Sequence, residues 1–366
     1  MKALVLQEYN RFDYLEVPEP QPGADEVLVA VAACGICGSD VHGMDGSTGR
    51  RRPPLIMGHE AAGTIAALGQ SVRGWSLGDR VTFDSTIYCG RCEYCRRGEI
   101  NLCNARRVLG VSCEDYRQNG AFAEFVAVPS RILYRVPAAL SFEQAALAEP
   151  FAIALHAVRR AAPVLNDTVV VFGAGMIGLA LVQALRQSGC GQLLVVDLAP
   201  DRLELASKLG ATHVLNPKTE DVPARIQQLT AGQGAECAFE AVGLSSTVEL
   251  ALRSVRKGGS VTLVGNVSPK VDFPLQLAVT RELTLYGSCA SRGEYPACLD
   301  MLARGALAAA PLLSAVAPLA EGAAWFNRLH RQESGLLKVV LKPNANKPAV
   351  TSSAPASSGS ASARSS

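Results

Sequence analysis

The chain has 366 residues, 48% of them hydrophobic, with 35 basic and 33 acidic residues and a formal net charge of +2. That length suits two domains better than one, and the near-neutral balance gives no electrostatic basis for binding nucleic acid or an anionic membrane. No run approaches the ~20 apolar residues of a membrane helix, and the first ten residues lack the apolar core and cleavage site of a signal peptide. There are 11 cysteines, an odd number, and seven of them fall between Cys34 and Cys113. In a chain of this size without a leader, that points to a reducing cytoplasm with some thiols on metal rather than to a disulfide framework.

In chain order, the first 150 residues carry short β-type runs at Lys2–Leu6, Glu26–Ala33, Gly63–Leu68, Arg80–Phe83 and Ala123–Val128. Turn signals such as Pro22-Gly23 and Leu77-Gly78-Asp79 separate them, which predicts an irregular, barrel-like β domain over residues 1–150. The texture changes after Pro150. Phe151–Ala162, the stretch from the Gly173–Gly178 loop to Gln187, Arg202–Leu209 and Pro223–Thr230 read as helices. Thr168–Phe172, Leu193–Val196, Val214-Leu215, Cys237–Glu240, Ser260–Val264 and Glu282–Gly287 read as strands. Strands alternating with helices predict an α/β doubly wound parallel sheet over 151–288. Residues 289–343, with a helix near Glu294–Arg304 and a strand at Lys338–Leu341, are expected to return to the first domain. The Ser/Ala/Pro tail from 344 to 366 has almost nothing to bury and is expected to be disordered.

Gly173-Ala174-Gly175-Met176-Ile177-Gly178 is a G-x-G-x-x-G loop directly after a strand. Gly173 permits the tight turn, Gly175 admits a pyrophosphate to the backbone, and Gly178 lets helix pack on strand. The helix N-terminus that follows, with Met176 and Ile177 in its first turn, favours an anion. Glycine spacing alone is weak evidence. The context strengthens it, because Asp197 ends the next strand 19 residues after Gly178, where an acid accepts from the adenosine ribose hydroxyls. Its charge favours NAD over NADP, and Arg202 is placed to flank the adenine or to soften that choice. Val242-Gly243 and Val264-Gly265-Asn266 end later strands of the same sheet, where backbone faces a cofactor, and Ser288 is a weaker candidate. The bland alternative is a glycine turn that binds nothing, with Asp197 capping a helix.

Cys89, Cys92, Cys95 and Cys103 form C-x2-C-x2-C-x7-C. Four thiolates at about 2.3 Å saturate tetrahedral zinc and leave no open position, so a site in the 89–103 lobe is structural. Two disulfides or an iron–sulfur cluster are the alternatives; the compartment disfavours the first, and nothing else suggests electron transfer. Three further pieces are dull one by one: Cys34-Gly35-Ile36-Cys37-Gly38-Ser39-Asp40-Val41-His42, Gly58-His59-Glu60 and Glu149-Pro150. Together they supply thiolate, imidazole and carboxylate, the donor set of an open catalytic zinc. Cys34 and Cys37 are also spaced as a redox pair, Glu60 can be a solvated surface acid, and Glu149 can simply open a helix.

On these motifs the sequence resembles the zinc-containing medium-chain dehydrogenase/reductase family. Gly58-His59-Glu60-Ala61-Ala62-Gly63 with Gly69 and Val72, the Cys37…His42 motif, the four-cysteine lobe and the glycine loop occur in the family's order over roughly residues 1–343. The resemblance implies a GroES-like β-rich catalytic domain beside a Rossmann domain, and two zinc ions with NAD as cofactors. It implies a catalytic zinc held by Cys37, His59 and either Glu60 or Glu149, both acids belonging to the site. It further implies a proton relay through Ser39 and, by way of the cofactor ribose, His42. Glu149, where ethanol-type members place a cysteine, resembles the polyol branch, whose sorbitol and galactitol-phosphate dehydrogenases oxidise a secondary alcohol to the ketone. The implied partners are a small alcohol or polyol substrate and further copies of the chain, as homodimer or homotetramer, with no nucleic acid and no membrane. An L-threonine 3-dehydrogenase-like enzyme and a non-catalytic zinc- and nucleotide-binding protein on the same scaffold are the alternatives. A zinc-free, NADPH-dependent quinone reductase would lack the cysteine lobe.

Overall fold

The computed structural model describes residues 1–113 and 116–343, so the expectation for the 344–366 tail lies outside the described residues. Two sheets organise the chain. The hub of the first is the strand Glu26–Gly35, buried along most of its length, with Val27, Leu28, Val29, Val31, Ala33 and Cys34 all in the interior. It pairs antiparallel with Glu60–Leu68, Phe125–Pro129 and Lys338–Lys342. Arg80–Phe83 and Leu133–Arg135 extend this sheet on one side and Leu313–Pro318 on the other.

The second sheet is parallel and has six strands, in the order His213–Leu215, Gln192–Val196, Thr168–Phe172, Ala235–Glu240, Val255–Leu263, Thr284–Gly287. Its strands Gln192–Val196 and Thr168–Phe172 are near-continuous buried apolar runs, because helices cover both faces. Those helices start where local chemistry favours it. Pro200 stands in the first turn of Pro200–Lys208, and the Asp221 side chain accepts from Ala224 N at 3.1 Å to cap Val222–Leu229. The strand order reverses beside Thr168–Phe172, so the crevice beyond its C-terminal end, next to Ala235–Glu240, is where such sheets bind ligands.

The helix Ala148–Ala161 joins the two units. Phe151, Ala154 and Val158 share one apolar core with Ala33 and Ala62 of the first sheet, with Val171 and Leu181 of the second unit, and with Tyr295 of the helix Tyr295–Ala303. Val340 of the last strand belongs to the same core. The sequence reading has no counterpart for the strands Arg11–Glu16 and Leu313–Pro318 or for the helices Ser245–Ser254 and Gly322–His330. Both strands are largely half-buried or exposed, and Gly322–His330 buries only Gly322 and Phe326, so little apolar core marks these elements.

Candidate active site

Cys37 leaves the hub strand and precedes the one-turn helix Gly38–Val41, its carbonyl accepting from Asp40 N and Val41 N. His59 follows Gly58, whose φ of +94° is accessible to glycine at little cost, and Glu60 opens the strand paired with Gly35. A side chain at Gly35 would overlap the Glu60 carboxylate, so this glycine leaves room for the acid. The Cys37 sulfur, a His59 ring nitrogen and a Glu60 carboxylate oxygen all lie within 4.8 Å of one another.

Charge holds this cluster together. Glu60 is buried, and both its oxygens accept from the buried Lys338 ammonium, at 2.8 and 2.6 Å. Lys338 Nζ also donates to Ile36 O at 2.9 Å. Asp40 is fully buried, with its Oδ1 2.9 Å from Arg51 Nη2 and 3.5 Å from His59 Nδ1. The His59 contact is close enough for charge attraction, but Nδ1 forms no hydrogen bond. Burial alone would raise Asp40, yet His59 and Arg51 outweigh it and hold the carboxyl at about 2. Burial pushes His59 down, and the facing Asp40 and Cys37 more than reverse this, leaving it well above its ordinary value. A pocket of anions that draws a proton onto an imidazole suits a cation there. Thiolate, imidazole and carboxylate at this spacing fit zinc with a position open.

Of the two acids implied by resemblance, Glu60 stands inside the donor set and Glu149 outside it. Glu149 is buried in the first turn of Ala148–Ala161. Its Oε1 accepts from Ser85 Oγ at 2.9 Å, and Oε2 is buried without a partner. Burial, with the neighbouring Glu60 charge, raises it to about 7 against the pull of His59. The physical reason for its place is that hydrogen bond: the strand ending at Phe83 delivers Ser85 to the helix and draws the carboxylate aside.

Ser39 is exposed and donates to Cys37 Sγ at 3.3 Å, while Arg51 Nη2 donates to Ser39 Oγ at 3.2 Å. His42, exposed at the end of the same short helix, presents its ring to solvent. Cys34, the other half of the conceivable redox pair, is fully buried, raised by burial, and outside the donor set. Asp40, Arg51, Ser85 and Lys338 are site residues that the sequence reading missed.

In the cysteine lobe, the sulfurs of Cys89, Cys92, Cys95 and Cys103 lie within 4.8 Å of one another. Cys92 and Cys95 stand 3.5 Å apart and Cys89 and Cys95 3.9 Å apart, well beyond a disulfide bond, and all four thiols are free. Backbone N–H groups aim at the sulfurs: Cys92 N at Cys89 Sγ at 3.3 Å and Cys89 N at Cys103 Sγ at 3.2 Å. The N–H groups of Cys95 and Asn104 pull Cys92 down to about 6. Four convergent, amide-supported sulfurs fit a closed zinc site.

The glycine loop follows Phe172. Gly173 has φ +94°, and a side chain at Gly178 would run into its carbonyl oxygen. A Cβ at Gly175 would meet nothing within 4 Å, so open space faces the N-terminus of the helix Met176–Gln187, with Met176 and Ile177 half-buried in its first turn. That cradle fits a pyrophosphate. Asp197 braces it, Oδ2 accepting from Ala174 N at 2.6 Å and Oδ1 from Ala199 N at 2.9 Å. Arg202 is half-buried on the next helix. The Val242 and Gly243 amides are taken by the buried Glu240 carboxylate, and those of Val264 and Gly265 by the Glu240 carbonyl. These loops therefore wall the crevice with side chains and carbonyls rather than free N–H groups. Asn266 is exposed, and Ser288 Oγ is buried without a partner.

Comparison with known proteins finds two family models and relatives that span nearly the whole chain. Residues 23–138 match the family model of the alcohol dehydrogenase GroES-like domain, and residues 177–304 that of zinc-binding dehydrogenases. A sorbitol dehydrogenase of Bacillus subtilis is 36% identical, covering 94% of this chain and 98% of its own. The galactitol-1-phosphate dehydrogenase of Escherichia coli superposes with a TM-score of 0.87 at 27% identity, over 94% and 100% of the two chains. A zinc-binding dehydrogenase of Sinorhizobium meliloti, solved with NADP, gives a TM-score of 0.85 at 31% identity over 93% and 99%.

Proposed function

The chain belongs to the zinc-binding alcohol dehydrogenase family, and from that premise we propose that it oxidises a secondary alcohol of a polyol, or of a sugar-alcohol phosphate, to the ketone with NAD as hydride acceptor. The observation that carries this reading is the Cys37–His59–Glu60 donor set, with Glu149 rather than a cysteine beside it. That helix residue stands on the element packed against the helix leaving the glycine loop. The sorbitol and galactitol-phosphate relatives support the substrate class.

Zinc at Cys37, His59 and Glu60 supplies a Lewis acid for the substrate oxygen, and NAD in the glycine cradle supplies the hydride acceptor. The chain's own residues do the rest. Lys338 pairs with both oxygens of Glu60 and fixes the carboxylate in place. Asp40 faces the ring edge of His59 and sets its orientation. Ser39 Oγ, beside Cys37, can accept the hydroxyl proton only as it releases its own, and exposed His42 is the outlet toward water. Asp197 holds the loop and disfavours a 2′-phosphate, hence NAD over NADP.

No helix among the described residues is long and apolar enough to cross a membrane. Its 11 free thiols suit the cytoplasm. Exposed Leu275 and Val279 on the helix Leu275–Thr280 and Leu285 on the edge strand Thr284–Gly287 suit an assembly of like chains, a dimer or tetramer. A panel of polyols, sugar-alcohol phosphates and L-threonine, offered with NAD to the zinc-loaded protein and read by NADH absorbance, tests the reading. Turnover of polyols is expected. Turnover of threonine alone, or of no alcohol, contradicts it.

A further inference from the structure

A buried guanidinium must find enough acceptors to offset its lost hydration, and its planar fork normally meets a carboxylate oxygen for oxygen. Arg51, only 4% exposed, does otherwise. Its Nε and Nη2 both converge on Asp40 Oδ1, at 3.3 and 2.9 Å, and Oδ2 is left buried without a partner. Nη2 is thereby shared with Ser39 Oγ at 3.2 Å, and Nη1 donates to Arg50 O at 3.3 Å. An arginine that served only to neutralise Asp40 would gain more by taking both oxygens. The chain also makes room for this pose, since a Cβ at Gly43 would lie 2.6 Å from Arg51 Cγ.

The consequences reach two residues of the donor set. A Ser39 hydroxyl that already accepts from Arg51 has its own hydrogen free to point at Cys37 Sγ, 3.3 Å away. The Asp40 oxygen that Arg51 grips is the same one that stands 3.5 Å from His59 Nδ1. We infer that Arg51 is a positioning residue of the site: one guanidinium aims the Ser39 hydroxyl at the Cys37 sulfur and holds Asp40 against the His59 ring. The inference rests on the reading of Cys37 and His59 as metal ligands.

Cobalt(II) in place of zinc reads the effect without turnover, because the thiolate-to-cobalt charge-transfer band moves to lower energy when the sulfur loses a hydrogen bond. The four-cysteine lobe contributes a background common to all variants, and Cys37→Ser identifies the band of interest. Arg51→Lys keeps the charge against Asp40, so the fold survives, but an ammonium lacks the planar fork. The band is expected to shift to lower energy in Arg51→Lys and in Ser39→Ala, with no further shift when the two are combined. An unshifted band in either single variant, or additive shifts in the double variant, overturns the inference. A spectrum that Cys37→Ser leaves unchanged overturns the ligand reading itself, and this inference with it, which separates the two failures.

Discussion

Lys338 and Glu60 are the tightest charge pair of the site, both buried and 2.6 Å apart at closest approach. Removing one partner of such a pair leaves an uncompensated buried charge, so Lys338→Met should cost about 3 to 5 kcal/mol, and Lys338→Met with Glu60→Gln clearly less. Urea denaturation of the three chains checks this; equal losses in the single and double variants contradict it. Asp84 gives a pH-dependent case. Burial raises it to about 6 against hydrogen bonds from Thr86 and Ser291. The folded chain thus holds this proton more tightly than the unfolded chain does. The stabilisation is fully present below about pH 4, lost as pH rises through about 6, and worth up to about 3 kcal/mol. Asp84→Asn should therefore gain on the parent as pH rises from about 4 to 7. A melting-temperature difference that ignores pH over that span refutes the assignment. These residues also mark what the sequence hides. Cys37, His59 and Glu60 are legible only together, as a thiolate, imidazole and carboxylate set carried by motifs that resemble a family's. Lys338, 278 positions from Glu60, and Arg51 and Asp40 read as ordinary surface charges until the fold buries them.

At the scale of elements, the glycine loop separates a binding role from a packing role within four residues. Gly175 faces open space, so Gly175→Ala should change stability by less than about 1 kcal/mol yet weaken NADH binding about tenfold or more by filling the pyrophosphate cradle. Gly178 meets the Gly173 carbonyl, so Gly178→Ala should cost about 1 to 3 kcal/mol. NADH fluorescence titration and thermal melts distinguish the two, and the reverse pattern would refute the cradle. The same loop shows why the second unit was readable: short strands of five or six residues alternate with amphipathic helices, one of them capped by Asp221. The helix Ser245–Ser254 escaped because its N-cap position is Leu244, an apolar residue where a capping side chain normally announces a start. Glu149 shows a different limit. Its element is where the sequence puts it, but the competing hydroxyl of Ser85, 64 positions away, decides where the carboxylate points.

For the whole molecule, the architecture explains why the two proposed metal sites should answer differently to loss. The cysteine lobe is a short loop segment with no buried residue in its helix Glu93–Arg96 and only a thin apolar interior, so its ion is expected to do the work of a core. Cys92→Ser should lower the melting temperature by about 5 °C or more, equivalent to a few kcal/mol; an unchanged melt contradicts a structural role. The Cys37 site instead sits at the hub strand's end, near Lys338 of the returning strand and Glu149 of the joining helix, and two large apolar cores built from the same elements supply stability of their own. Zinc content per chain, measured on the parent and on Cys37→Ser at matched folding, is therefore the most direct test. The account predicts two zinc ions falling to one, with the melting temperature largely kept and NAD-dependent alcohol oxidation abolished. Two zinc ions retained in Cys37→Ser, or none in the parent, would contradict it.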